Sequence, residues 1–458
     1  MSIKELLQEA PSSLPILQGT FGLEHESLRI DRQSQRLSKR EHPKALGSRN
    51  FHPYIQTDYS EAQIELITPI ASSTKEARRF LTGIADVAGR SLDKGDYLWP
   101  LSMPPKVSED EIVIARLEDD FERHYRQHLA KVYGKRLQTI SGIHYNYGLG
   151  QDLLNQLFKL SGYKNLATFK NDLYLKLAQN FIKYRWILTY LYGASPLAET
   201  GFGEQDLDKP VRSIRNSSLG YVNHESVKVS YSSLEQYVAD IEACVADGRL
   251  IAEKEFYSPV RLRGAKRSRD YLSQGITYLE FRCFDIDPFD QQGIAQETLD
   301  TVHLLALALL WLDGPQTVNQ ELQSAEELNE QVARAHPLAK LPREADSSSI
   351  ISAMRELIRH FQVPSYYCQL VDKLEKQLAD PSLTIGGRLV KEIKDGSLEE
   401  FGRSQGQSFS YLAWQAPYAL KGFEGMELST QLIMFDTIQK GINLEILDES
   451  DQFLKLSV

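Results

Sequence analysis

From Thr20 to about Ile70, apolar and polar residues alternate with a period of two, interrupted by the turn-forming stretches DRQSQ and HPKALGS. That period belongs to half-buried strands. Strand character returns in LQTISGIHYNYGL (137–149) and in the aromatic, β-branched YLEFRCFDI (278–286). Helical spacing marks residues 3–10, closed by Pro11 and Pro15. It recurs over 74–95 (Ala77, Phe80, Leu81, Ile84, Val87, Ala88), 109–133, 171–192 up to GASP, and 234–246. Between these, KPVRSIRNSSLGYVN reads as a loop and EFYSPVRLRGAKRSRDYLSQG as an irregular basic segment. After Pro288 the pattern predicts helices over 293–312, 325–335, 349–361 and 365–379, with 313–349 as a loop-rich junction. The tail MELSTQLIMFDTIQKGINLEIL predicts a helix, a stop at Gly441 and a strand. Strands in hairpin-like groups among irregularly placed helices predict an α+β fold with an antiparallel sheet, not a doubly wound one.

Against this pattern, six acids stand out inside or beside strand-like segments. They are Glu24 and Glu26 in GLEHESLRI, Asp58, Glu61 and Glu65 in TDYSEAQIELITPI, and Glu280 in YLEFRCFDI. Glu24 and Glu26 share a face because strand side chains alternate. The spacing of four makes Glu61 and Glu65 expected neighbours. Unpaired charges on a half-buried face are costly. A hard divalent cation with oxygen ligands, such as Mg²⁺, is the cheapest way to hold them together, and such cations imply a phosphate-bearing substrate.

Composition narrows the setting. The chain has 458 residues, 42% hydrophobic and 25% charged, in the range of globular proteins. A formal charge of −10 argues against a dedicated nucleic-acid binder. Three scattered cysteines, Cys244, Cys283 and Cys368, form neither a disulfide framework nor a zinc site, which points to a reducing, cytoplasmic home. The N-terminus does not read as a signal peptide. The apolar run from Val302 to Leu312 is about half a membrane span and is expected as a buried helix. No GxxxxGK[ST] loop is present, and His25-Glu26 lacks a second histidine at zinc-protease spacing. If ATP binds, acidic side chains and their cations must hold its phosphates.

Seven segments in order resemble bacterial glutamate–cysteine ligase: GLEHESLRI, HPKALGS, TDYSEAQIELITP, LQTISGIHYNY, YLYGASP, SIRNSSLGYVN and YLEFRCFDIDPF. The resemblance covers roughly residues 19–300. It implies a glutamine-synthetase-like fold, a curved antiparallel sheet forming a funnel. It also implies ATP-driven joining of the glutamate γ-carboxylate to the cysteine amine, the first step of glutathione biosynthesis. Two or more Mg²⁺ ions, with Mn²⁺ as the alternative, and ATP as co-substrate come with it. The resemblance makes Glu24, Glu26, Asp58, Glu65, His144 and Glu280 metal ligands and leaves Glu61 outside that set. It casts Arg282, Arg215 and Glu280 as catalytic, with Arg282 reaching the transferring phosphoryl group. His144, Arg261 and Arg263 would face ATP, and Tyr125, Gln138, Tyr221 and Tyr257 would hold the amine acceptor. Cys283 faces away from Glu280 and Arg282 and reads as a structural thiol.

The expected organisation is a ligase core (1–312), a mostly helical part (313–425) and a helix–strand segment (426–458). The last resembles the opening of the ATP-grasp half of bifunctional enzymes that also make glutathione. The expected partners are small molecules, without nucleic acid or membrane, on a monomer or homodimer. Three other readings stay open: a γ-glutamyl ligase with a different amine acceptor, a non-catalytic fragment of a bifunctional enzyme, and a metal-dependent hydrolase.

Overall fold

The computed structural model describes residues 1–203, 207–448 and 452–457. Its principal sheet has seven strands: β1 (Gly19–Asp31), β2 (Ile55–Thr57), β3 (Gln63–Ile67), β4 (Asp96–Leu98), β5 (Ile143–Leu149), β6 (Val260–Arg263) and β7 (Tyr278–Phe284). Their order is β2-β3-β1-β5-β7-β6, with β4 pairing the far end of β1, and every pairing is antiparallel. Along β1 the period-two pattern is realised: Phe21, Leu23, His25 and Ser27 are buried while Gly22, Glu24 and Glu26 are only partly so. The buried face packs against the helices Thr74–Ser91, Leu166–Tyr192 and Gln296–Trp311. Phe181 of the second stacks on Phe281 of β7 with ring centroids 4.1 Å apart.

One irregularity shapes the sheet. Phe281 pairs with Tyr145 and Phe284 with Ile143, so three steps of β7 face two of β5. A bulge of this kind increases local twist and re-aims side chains. Arg282 lies within it.

Several helices differ from expectation. The expected helix over 109–133 is a helix only over Asp120–Tyr133, after a short 3₁₀ turn at Glu109–Glu111. The intervening chain bridges to the β2–β3 turn, where Glu61 N donates to Val113 O and Ala115 N to Tyr59 O. The expected helix over 325–335 begins earlier, at Val318 inside the expected junction, and runs to Arg334 with its apolar stripe (Leu322, Ala325, Leu328, Val332) buried. Residues 74–95 form a helix only to Ser91, because β4 claims Asp96–Leu98. Two further helices, Gln151–Ser161 and Glu399–Trp414, were not anticipated. The basic segment after Glu255 contains β6 as well as irregular chain. The tail forms the helix Leu428–Gln439 and a separate hairpin of β8 (Asn443–Asp448) and β9 (Phe453–Ser457). Among the described residues no helix is long and apolar enough to cross a membrane.

Candidate active site

Strand register places the candidate residues on one sheet face. Directly paired residues in antiparallel strands share a face. Glu26 pairs with Glu65, Glu24 with His144, Asn146 with Glu280, and Glu280 with Arg261. Five strands that are far apart in sequence therefore present carboxylates, a histidine and arginines side by side.

At its centre His144 Nδ1 lies 2.9 Å from Glu24 Oε2, and Asn146 donates to Glu24 Oε1 at 2.9 Å. The other ring nitrogen is 3.6 Å from Glu26 Oε1. Burial and the neighbouring Glu280 push the Glu24 carboxyl up. The His144 and Asn146 contacts outweigh them and leave it below its ordinary value. Glu280 is fully buried and clasped on both oxygens, by Arg263 Nε and Arg282 Nη1. Burial opposes its charge, but Arg282, Arg261 and Arg263 hold its carboxyl far below the carboxylate range.

Two acids lack such partners. Among the described residues Glu65 makes no side-chain hydrogen bond or ion pair, and Asp58 forms no salt bridge, although the Arg126 charge acts on it. Burial, and then the charges of Asp58, Glu24, Glu26 and Glu280, lifts Glu65 well above its ordinary value. Burial and Glu26 raise Asp58 to about 6. These are acids that a cation would satisfy. One ligand atom each from Glu24, Glu65 and His144 lies within 4.8 Å of the others. An oxygen-rich set with one imidazole suits a hard divalent ion. The chain's own residues thus fit the implied metal.

Glu61 does not join them. It sits in the β2–β3 turn, accepts from His42 N at 3.1 Å and Arg116 N at 3.0 Å, and pairs with Arg49 at 2.6 Å. The spacing of four loses its meaning once a turn separates the two acids. Glu61 pins the HPKALGS loop instead.

Beside the acids opens a cleft of about 280 Å³. Tyr125, Gln138, Tyr221 and Tyr257 all line it, together with Glu26, Asp58, His144, Arg215, Arg261 and Arg282. Glu24, Glu65, Glu280 and Arg263 stand outside its lining, on the adjoining part of the same sheet face. Tyr221 packs edge-on to Tyr257 at 5.2 Å, and Tyr133, outside the lining, packs edge-on to Tyr221 at 4.8 Å. The Arg282 guanidinium lies 5.6 Å over the Tyr257 ring. The Gln138 amide nitrogen is buried without a partner, a donor still free at the cleft. Arg215 Nη1 donates to Arg282 O at 2.6 Å, and Nη2 approaches His144 Nε2 at 3.4 Å. Arg261 is tied to the carbonyls of Lys254 and Phe256, each at 2.9 Å.

Sequence reasoning missed Arg126, Glu122, Tyr133, Lys254 and Glu255. Arg126 Nε donates to Asp58 O at 2.8 Å, locking the helix onto the β2–β3 turn. The Glu122–Arg126 spacing looks like a solvated helical pair, and only the packing turns it inward. Tyr133 donates to the buried Glu255 at 2.8 Å, and burial with that contact pushes its phenol up to about 12. Its contact with Tyr221 has no signal in a chain of 22 tyrosines.

Acids and guanidinium groups on one face, beside a tyrosine-lined cleft, suit phosphoryl chemistry on a carboxylate, the business of ATP-dependent ligases. Within that class, the chain belongs to the glutamate–cysteine ligase family, whose sequence profile matches residues 4–249 and 245–332. An ATP-grasp-like domain profile matches residues 424–458. The glutathione biosynthesis bifunctional protein GshAB of Streptococcus mutans is 63% identical over 456 residues, covering 100% of this chain and 60% of that protein. The chain thus spans about three fifths of the length of the curated relatives it matches. The crystal structure of a bifunctional glutathione synthetase from Pasteurella multocida superposes with a TM-score of 0.92 at 41% identity, covering 100% of this chain and 59% of that one. A glutamate–cysteine ligase from Francisella tularensis, solved in complex with AMP, shares the fold with a TM-score of 0.81 at 22% identity, covering 92% of each chain.

Proposed function

We propose that this chain joins the γ-carboxylate of L-glutamate to the amine of L-cysteine with ATP, giving γ-glutamylcysteine, ADP and phosphate. The observation that carries this reading is the shared sheet face: uncompensated acids and paired arginines adjoin a cleft walled by tyrosines. A carboxylate and an amine do not condense in water, so the carboxylate must first be activated. A γ-carboxylate oxygen attacks the γ-phosphorus of ATP, and the bond from that phosphorus to the β-bridging oxygen breaks, releasing ADP. The cysteine amine, having lost a proton to solvent, then adds to the acyl carbon of the γ-glutamyl phosphate. The carbon–oxygen bond to phosphate breaks and the nitrogen sheds a second proton.

Arg282 and Arg215 border the cleft beside the acids, where fixed positive charge stabilises a transferring phosphoryl group without reorganisation. Arg263 and Arg261 extend that positive edge toward the nucleotide. Tyr125, Tyr221, Tyr257 and Gln138 orient the acceptor, each tyrosine offering an apolar ring and a hydroxyl. Glu24, Glu65 and His144, with Glu26, Asp58 and Glu280 around them, would hold Mg²⁺ or Mn²⁺. The bound metal would supply charge neutralisation at the phosphates.

The test is phosphate release with ATP, Mg²⁺, glutamate and a series of amines. The expected result is release that requires glutamate, with kcat/KM highest for cysteine over 2-aminobutyrate and alkylamines. Ethylamine outperforming cysteine would overturn the acceptor assignment. Release without glutamate would mark a hydrolase. A folded protein that binds metal but does not turn over would mark a fragment that needs the rest of a bifunctional protein.

A further inference from the structure

Arg215 reaches the site from a loop, yet only 7% of its surface is exposed, and no carboxylate pairs with it among the described residues. Two features hold it. The first lies under the loop. Asp285, 3% exposed, accepts on one oxygen from Ala194 N at 2.6 Å, Ser195 Oγ at 2.9 Å and Ser213 Oγ at 2.7 Å. Ser195 Oγ in turn accepts from the backbone N–H of Arg215 at 3.1 Å, and Ser213 Oγ from that of Asn216 at 3.1 Å. Asn216 is tied on to Cys283 O of β7 at 3.0 Å. One buried carboxylate thus gathers both sides of the loop and ties them to the end of β7.

The second feature lies under the side chain. Gly142, just before β5, is held to Glu26 twice: its N–H donates to the Glu26 carboxylate at Oε2, 2.9 Å away, and its carbonyl accepts from Glu26 N at 3.1 Å. The Arg215 guanidinium lies against it, and a Cβ at this position would overlap Cζ, Nε and Nη2. The Gly142 backbone does not require glycine, because its φ is not positive. The missing side chain makes room for the arginine.

We propose that Gly142 and Asp285 are positioning residues for Arg215, one by leaving the bed for its guanidinium and the other by anchoring the loop that delivers it. This inference rests on the ligase reading above, in which Arg215 acts on the transferring phosphoryl group. It assigns a purpose to the glycine of SGIHYNY and to the aspartate of RCFDI beyond strand structure.

Gly142→Ala tests it most cleanly, since the obstructing atoms belong to the far end of a flexible side chain and the fold can remain. The expected result is a kcat about 100-fold lower, in the range for losing one aligned charge donor. KM for cysteine should change by less than about 3-fold and the thermal midpoint should be nearly unchanged. In an Arg215→Ala background the same substitution should cost almost nothing more, because groups that act through one another are not additive. Ser213→Ala, gentler than Asp285→Asn should that variant fail to fold, should lower kcat about 10-fold and be absorbed in the same background. Gly142→Ser, which also adds a Cβ, should lower kcat as Gly142→Ala does.

A readout free of turnover accompanies these. Phenylglyoxal should label the Arg215 peptide several-fold faster in Gly142→Ala than in the parent protein, as followed by mass spectrometry. An unchanged labelling rate, wild-type kcat in Gly142→Ala, or losses that multiply fully with Arg215→Ala would overturn the inference. A parent protein that makes no γ-glutamylcysteine while Gly142→Ala still exposes Arg215 to labelling would instead refute the ligase reading and leave the positioning intact.

Discussion

Glu65 stands with four other acids near it and no hydrogen-bond donor of its own. Without a cation this arrangement costs stability, so Glu65→Gln should stabilise the metal-free protein, by on the order of 1–2 kcal/mol. The same change should lower turnover by about 100-fold or more, because a ligand is lost. Thermal unfolding in a chelator, set beside kcat in Mg²⁺, checks both halves. Glu280→Gln should behave differently. It leaves Arg263 and Arg282 without their carboxylate, so it should abolish turnover and also destabilise the chain in chelator. Equal effects of the two substitutions on the chelated protein would contradict this division. At this scale much was legible. An acid in an apolar strand is visible in sequence, and the alternation of Glu24 and Glu26 follows from local backbone geometry. Glu61 was not legible, because its direction depends on Arg49 and on the chain around Arg116.

The helix Gln296–Trp311 is buried almost all round and encloses His303, which packs against Phe21 at 4.9 Å and Tyr147 at 5.1 Å. Burial alone drives this imidazole down to about 3. A group held neutral in the fold binds fewer protons than in the unfolded chain between that value and about 6.5. Its contribution is complete above pH 6.5 and drains away as the pH falls toward 3. Between pH 7 and 5 the parent should lose on the order of 2 kcal/mol through this residue. His303→Leu should remove that portion of the acid sensitivity, seen as a smaller drop in urea midpoint. Helices of this kind, apolar on every side, declare themselves in sequence. Val318–Arg334 declared itself only over its second half, since the polar composition of its first turns hid a narrow stripe that the Leu166–Tyr192 helix makes into a core face. The 112–119 stretch was misjudged for the opposite reason: its helical spacing yielded to backbone pairing with the β2–β3 turn.

Beside a smaller separate cluster of Met103, Ile140, Phe202, Val211 and Ile214, one apolar core runs from Leu6 to Leu444 and draws on all three segments. We propose that the segments 1–312, 313–425 and 426–458, separable in sequence, unfold together around it. The tail is joined closely to the rest. Met434 and Ile438 are buried, Gln439 reaches Ser91 at 2.9 Å, and Tyr54 Oη accepts from Leu444 N at 2.7 Å. A chain ended at residue 426 should therefore melt several degrees lower than the 458-residue chain, since removing several buried apolar side chains costs on the order of 2–5 kcal/mol. A single calorimetric transition in the parent and an unchanged midpoint in the shortened chain cannot both occur under this proposal. The tail also exposes Leu432, Ile433, Leu447 and Phe453.

The sequence by itself determined the chemistry on offer: strands of period two, acids on their faces, no phosphate-binding loop, and seven ordered segments resembling a single ligase family. These follow from local backbone geometry and from the identity of neighbouring residues. Tertiary structure alone decided who meets whom. Register across five strands set Glu280 between Arg263 and Arg282, and a turn sent Glu61 away from the cluster. Packing set Tyr133 against Tyr221 at the cleft and Arg215 against Gly142. Such meetings depend on long-range pairing and close packing, where a shift of one residue on a strand turns every side chain to the other face.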